Sequence, residues 1–86
     1  MTDTLLQFPC DFPLKVMGRD TPEFRQAMVE IVQRHMGEIE VAKIEERNSR
    51  DGTYLGVTYT VYATSKAQLD ELYRELSANP LALMVL

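Results

Sequence analysis

The ten residues from Tyr54 to Ala63 restrict the fold more than any other stretch of the chain. Leu55, Val57, Tyr59, Val61 and Ala63 alternate with Tyr54, Gly56, Thr58, Thr60 and Tyr62. A period of two places the first set on one face of a strand and the second set on the other, whereas a helix would scatter both around its circumference. The segment is rich in β-branched and aromatic residues, which suit a pleated, half-buried surface. One face is apolar and the other carries hydroxyls and aromatic rings. A strand of this kind sits at the centre of a sheet that is covered on one side only, which is the habit of antiparallel sheets.

The rest of the chain supplies the partners. Phe12, Leu14 and Val16 alternate with Pro13, Lys15 and Met17 and predict a first strand. Gly18 permits a sharp exit, and Thr21-Pro22 opens a helix, with Thr21 as N-cap and Glu23 favourable to the helix dipole. Phe24, Ala27, Met28, Ile31, Val32 and His35 recur at helical spacing up to Met36, and Gly37 is the stop. A charged second strand is expected from Val41 to Asn48, followed by a hairpin turn at Arg50-Asp51-Gly52. Ser65 and Gln68 have the spacing of a capping box, and Leu69, Leu72, Tyr73 and Leu76 trace a second helix that ends at Asn79-Pro80. The apolar run from Leu81 to Leu86 is read as a final strand.

The order is therefore β-α-β-β-α-β. With right-handed crossovers it gives an α+β, ferredoxin-like two-layer sandwich, in which a four-stranded antiparallel sheet has both helices on one face. The expected strand order, 4-1-3-2, puts the charged second strand on one edge and the uncharged last strand on the other. At 86 residues the expectation is a single domain, 1–86, with 1–10 as a lead-in segment.

Charge and cysteine usage remove several function classes. Nine basic against thirteen acidic side chains give a net charge of -4, and no basic run with interleaved aromatics points to nucleic acid. No stretch approaches the about 20 apolar residues of a membrane span, and Met1 to Leu6 lacks a basic leader, so the reading is no membrane and a cytoplasmic location. Cys10 is the lone cysteine, so no internal disulfide and no cysteine-based metal cluster is expected. The carboxylate of Asp11 beside Cys10 disfavours a thiolate, and no third group orients a Cys10–His35 pair. His35 is read as a partial helix cap. No catalytic residue, metal or cofactor is expected, and the chain is read as a non-enzyme.

Two places are left for binding. Lys15, Met17, Tyr54, Thr58, Thr60 and Tyr62 fall on the sheet face that the helices leave uncovered, which makes them the candidate surface for a protein partner. Gly18, Thr21 and Glu23 mark the corner at the first helix, where a small anion would meet the helix N-terminus. The uncharged last strand is an edge that needs cover, either from a second copy or from Leu5-Leu6-Gln7-Phe8 folding back.

Phe8-Pro9, Phe12-Pro13, the run Lys15-Val16-Met17-Gly18, the segment Val32-Gln33-Arg34-His35, Leu72-Tyr73 and Met84-Val85-Leu86 together resemble the YbeD-like family of small bacterial proteins. Members of that family look like ACT-type regulatory domains in fold. The resemblance implies an uncharacterised protein with a loose link to lipoate metabolism, while the lack of catalytic groups and the open sheet face point to a non-catalytic regulatory or adaptor domain working by protein contact. The ACT comparison also implies the alternative, a sensor of an amino acid or anionic metabolite at the Gly18 corner. Glu23 there occupies the place of a glycine in amino-acid-binding ACT domains.

Overall fold

A computed structural model describes residues 7–86. The strands are β1 (Cys10–Arg19), β2 (Ile44–Asn48), β3 (Tyr54–Ala63) and β4 (Met84–Val85), and the helices are α1 (Pro22–Met36) and α2 (Lys66–Ala78). The four strands form one antiparallel sheet in the order β2-β3-β1-β4, the expected ferredoxin-like α+β arrangement. β1 and β3 pair along their whole length, from Cys10 opposite Ala63 to Arg19 opposite Tyr54.

This register puts Leu14 and Val16 of β1 on the same face as Leu55, Val57, Tyr59, Val61 and Ala63 of β3. Phe24, Met28, Ile31 and Val32 of α1, and Leu69, Leu72 and Leu76 of α2, close over them. All are buried, and among the described residues no polar or charged residue is buried. Burying each of these large side chains contributes about 1.5–3 kcal/mol, so the single apolar layer supplies most of the driving force.

The caps explain where the helices stop. Thr21 Oγ1 accepts a hydrogen bond from the Phe24 N–H at 3.1 Å, with Pro22 in the first turn. Gly37 follows α1 at φ 81°, a region unfavourable to other residues, and its N–H donates to the Gln33 carbonyl at 2.8 Å. Ser65 Oγ accepts from the Gln68 N–H at 3.1 Å. The reciprocal half of the expected capping box is displaced by one residue, since Gln68 Oε1 accepts from the N–H of Thr64 at 2.8 Å.

Two boundaries differ from the sequence reading. Val41–Lys43 forms a single 3-10 turn, and β2 pairs only from Ile44, opposite Tyr59. The chain leaves α1 at the helix layer and uses this turn to descend to the sheet edge, which leaves Val41 85% exposed. The last strand is shorter than Leu81 to Leu86 because Asn79 folds its start into a turn. Asn79 Oδ1 accepts from the Leu81 N–H at 2.9 Å, and the Asn79 carbonyl accepts from the Ala82 N–H at 3.1 Å. Beyond the turn, Leu83 donates to the Met17 carbonyl, and Leu86 exchanges both backbone hydrogen bonds with Lys15.

The β2–β3 hairpin is tied by its own side chains. Asp51 Oδ1 accepts from the Thr53 N–H at 3.0 Å and from the Ser49 hydroxyl at 2.9 Å, bonds that, Thr53 foremost, hold its carboxyl below the usual range. Gly52 supplies the positive φ of the turn. Of the segment expected to fold back over β4, Leu5 and Leu6 lie outside the described residues, while Phe8 packs against the core.

Gly18 is where β1, α1 and the β4 approach meet. A Cβ built on it would lie 2.4 Å from Phe24 Cε1 and 2.5 Å from the Leu81 carbonyl oxygen. Both neighbours are held, one in the core and one by backbone. Gly18→Ala is therefore expected to destabilise the fold by about 1–3 kcal/mol through overpacking, read as a lower urea midpoint at unchanged slope. An unchanged midpoint would show that Phe24 and the Leu81 segment yield freely.

Candidate functional site

Opposite-strand residues in an antiparallel pair share a face, so the register assembles the uncovered face row by row. Lys15 stands opposite Thr58, which stands opposite Glu45 of β2. In the next row, Met84, Met17, Gly56 and Arg47 follow one another across all four strands. Arg19 stands opposite Tyr54, Pro13 opposite Thr60 and Asp11 opposite Tyr62. The face thus gathers all six residues singled out for partner contact, Lys15, Met17, Tyr54, Thr58, Thr60 and Tyr62. Tyr62 is 58% exposed and Tyr54 39%.

The sequence reading missed Glu45, Arg47, Arg19, Met84 and Leu86 on this face, and placed Gly56 there without giving it a role. Glu45 and Arg47 follow the period of two in β2, but their face becomes visible only once Ile44 is known to pair with Tyr59. Gly56 matters because it lacks a side chain. It leaves a hollow of about 190 Å³ bordered by Lys15, Met17, Arg47 and Tyr54. The Arg19 guanidinium lies 5.8 Å from the centroid of the Tyr54 ring, within the range of a cation–π contact. On the β4 side the face turns apolar, with Met84 and Leu86 51% and 59% exposed.

The corner at α1 is filled differently. The Thr21 hydroxyl is used by the N-cap bond, and the Phe24 ring and Leu81 carbonyl occupy the space beside Gly18. Glu23 is exposed in the first turn of α1. Close by, Arg25 reaches Asp20 Oδ1 at 2.7 Å and Glu46 Oε2 at 3.2 Å, while Asn48 donates to Asp20 Oδ2 at 2.7 Å. Hydrogen bonding to Glu46, foremost, raises the Arg25 guanidinium pKa further. This network ties α1 to the edge strand. Behind it, burial pushes the Tyr59 hydroxyl up to about 12, so it stays protonated.

Cys10 and His35 serve separate elements. Cys10 opens β1 opposite Ala63. His35 Nε2 lies 2.6 Å from Glu75 Oε1 on α2, and Arg34 pairs with the other oxygen of the same carboxylate. The His35 carbonyl accepts from Gln68 Nε2 at 3.3 Å. His35 therefore joins the two helices, and the α1 terminus is capped by the backbone of Gly37. Among the described residues no group of three or more His, Cys, Asp and Glu side chains is placed to hold a metal ion, and no helix is long and apolar enough to cross a membrane.

Comparison with known proteins agrees with the family resemblance carried by the sequence. Residues 3–86 match the family model described as "Protein of unknown function (DUF493)". A UPF0250 protein of Paraburkholderia phytofirmans is 43% identical over 86 residues, covering 100% of this chain and 97% of that protein. One from Bordetella pertussis is 46% identical over 84 residues (98% and 92%), and one from Leptothrix cholodnii is 48% identical over 83 residues (96% and 91%).

The helix–helix clasp has a pH signature. Hydrogen bonds from His35 and then Arg34 hold Glu75 below its ordinary value of 4.5. A depressed carboxylate stabilises the fold fully above its unfolded-state pKa and loses that contribution as pH falls through the folded one. Glu75→Gln should therefore unfold at lower urea than the parent at neutral pH, with the gap closing below about pH 4. Urea midpoints of both proteins between neutral and acid pH check this, and a gap constant across the range would contradict it.

Proposed function

We propose that this chain, which belongs to the DUF493 family of small bacterial proteins of unknown function, is a non-catalytic adaptor or regulatory domain that binds another protein through its uncovered sheet face. One observation carries the reading. All six residues expected to contact a partner lie on that face in register, together with two further cations, Arg19 and Arg47, and the exposed side chains of Met84 and Leu86.

The physical argument is that this face is not needed for the fold. The apolar layer between sheet and helices already closes the core, so a solvated polar face of threonines and lysines would serve stability equally well. Two tyrosines, Met17, Met84 and Leu86 are the kinds of side chain that give affinity at an interface: large, amphipathic or adaptable. The two helices carry a different surface, with Glu23, Glu30, Asp70 and Glu71 outside the core. The rival reading, a metabolite sensor, relies on open space at Gly18, and the Phe24 ring and Leu81 carbonyl occupy that space. Function is therefore assigned to the sheet face.

Affinity capture from native bacterial lysate tests the assignment. The parent chain and Glu71→Lys, altered on the outer side of α2, are expected to recover the same partner. Lys15→Glu and Tyr62→Ala should lose most of it, since truncating a central interface residue commonly costs about 1 kcal/mol or more, roughly a fivefold loss in affinity. Equal recovery by all four proteins would put the contact elsewhere.

A further inference from the structure

The sheet face carries a charge arrangement that the fold does not require. Lys15 and Arg47 border the same hollow over Gly56. A Cβ built on Gly56 would lie 3.3 Å from Lys15 Cε and 3.7 Å from Met17 Cγ, so the lysine stem lies across the glycine. Glu45 shares the row of Lys15, on the far side of Thr58, and makes no ion pair with it. Among the described residues, Arg25, Arg34 and Lys66 are each paired with a carboxylate, whereas Lys15 and Arg47, like Arg19, Lys43, Arg50 and Arg74, are in no ion pair. Lys15 and Arg47 both line this hollow, and Arg19 is a third cation on the same face.

Glu45 and Glu46 line the adjoining cavity with Lys15 and Arg47, but neither forms an ion pair with those two cations, so an anion seated between Lys15 and Arg47 gains two charge-assisted hydrogen bonds. The hollow of about 190 Å³ has room for a carboxylate group but is small for a whole metabolite. Its β4 side is walled by Met17, with Met84 next in the row and Leu86 beside Lys15.

We propose that the hollow over Gly56 seats a glutamate or aspartate carboxylate from an acidic, partly apolar segment of the partner protein. The carboxylate lies between Lys15 and Arg47, and a neighbouring apolar side chain of that segment packs on Met17, Met84 and Leu86. The inference rests on the sheet-face reading and adds the chemistry of the partner. Gly56 is glycine on this account to keep the seat open. An added methyl would press only on the flexible Lys15 stem and meet Met17 Cγ and the Arg47 carbonyl oxygen at ordinary contact distance, so Gly56→Ala should keep the fold and fill the seat.

The experiment is an NMR amide titration of the full chain with a capped hexapeptide alternating glutamate and leucine, and with its counterpart carrying glutamine for glutamate. The glutamate peptide should shift the amides around Lys15, Arg47, Gly56 and Thr58. Its affinity should exceed that of the glutamine peptide by about tenfold and fall by a similar factor in Arg47→Glu. It should weaken several-fold in Gly56→Ala, and again on raising salt from about 0.05 to about 0.5 M. Urea midpoints verify that each variant is folded. Equal affinity for the two peptides, or an unaltered affinity in Arg47→Glu, would overturn the carboxylate seat. Shifts of the same amides on raising the protein concentration alone would also overturn it, making a second copy the occupant. If the seat fails while Lys15→Glu and Tyr62→Ala still lose the captured partner, the sheet-face reading stands without it. If those variants keep the partner, the face itself is refuted.

Discussion

The antiparallel pairing of β1 with β3, unbroken from Cys10–Ala63 to Arg19–Tyr54, is the constraint on which the rest of the molecule depends. Because side chains alternate along a strand, a slip of one residue would move Leu14, Val16, Tyr59 and Val61 from the core to water and carry Lys15 and Thr58 inward. The burial of one face therefore fixes the composition of the other. β2 and β4 extend that pairing outward, and each adds to the open face in register, Glu45 and Arg47 on one side and Met84 and Leu86 on the other.

The polar contacts reinforce this frame at its margins. Arg25 bridges α1 to β2 through Glu46 and to Asp20, just past the end of β1, and Glu75 of α2 receives Arg34 and His35 of α1. These contacts are largely exposed, where ion pairs add little individually. They set the approach of the helices to the sheet edge and to each other. None of them uses Lys15 or Arg47. The cations that hold the structure together and the cations of the open face are thus different residues, and a surface role for the second set does not compete with folding.

Much of the fold was legible in the sequence because its signals are local. The alternation in Tyr54–Ala63, the Thr21-Pro22 start, the Gly37 stop and the apolar stripes of both helices depend on no distant contact. The two misjudged boundaries depend on tertiary geometry. Val41 has strand-forming character but lies on the descent from the helix layer, and Leu81 is drawn into a turn by Asn79. The candidate surface was half legible. Residues on β1 and β3 declare their face by alternation, while Arg47 and Met84 acquire theirs from pairing with Gly56 and Met17. A hollow made by a missing side chain leaves no positive mark in a sequence, and a glycine within a strand reads first as a weakness. At Gly18 the same residue type has the opposite meaning, since the space it leaves is filled by Phe24 and the Leu81 carbonyl.

The central claim is that the bare side of the sheet is the working surface in the cell. Site-specific incorporation of a photo-crosslinking amino acid at Thr58, in the middle of that face, and at Gln26, on the outer side of α1, tests it whatever the identity of the partner. Irradiation of living bacteria expressing each variant should give one discrete crosslinked species from position 58 and none from position 26. Crosslinking from position 26 with none from position 58 would contradict the account.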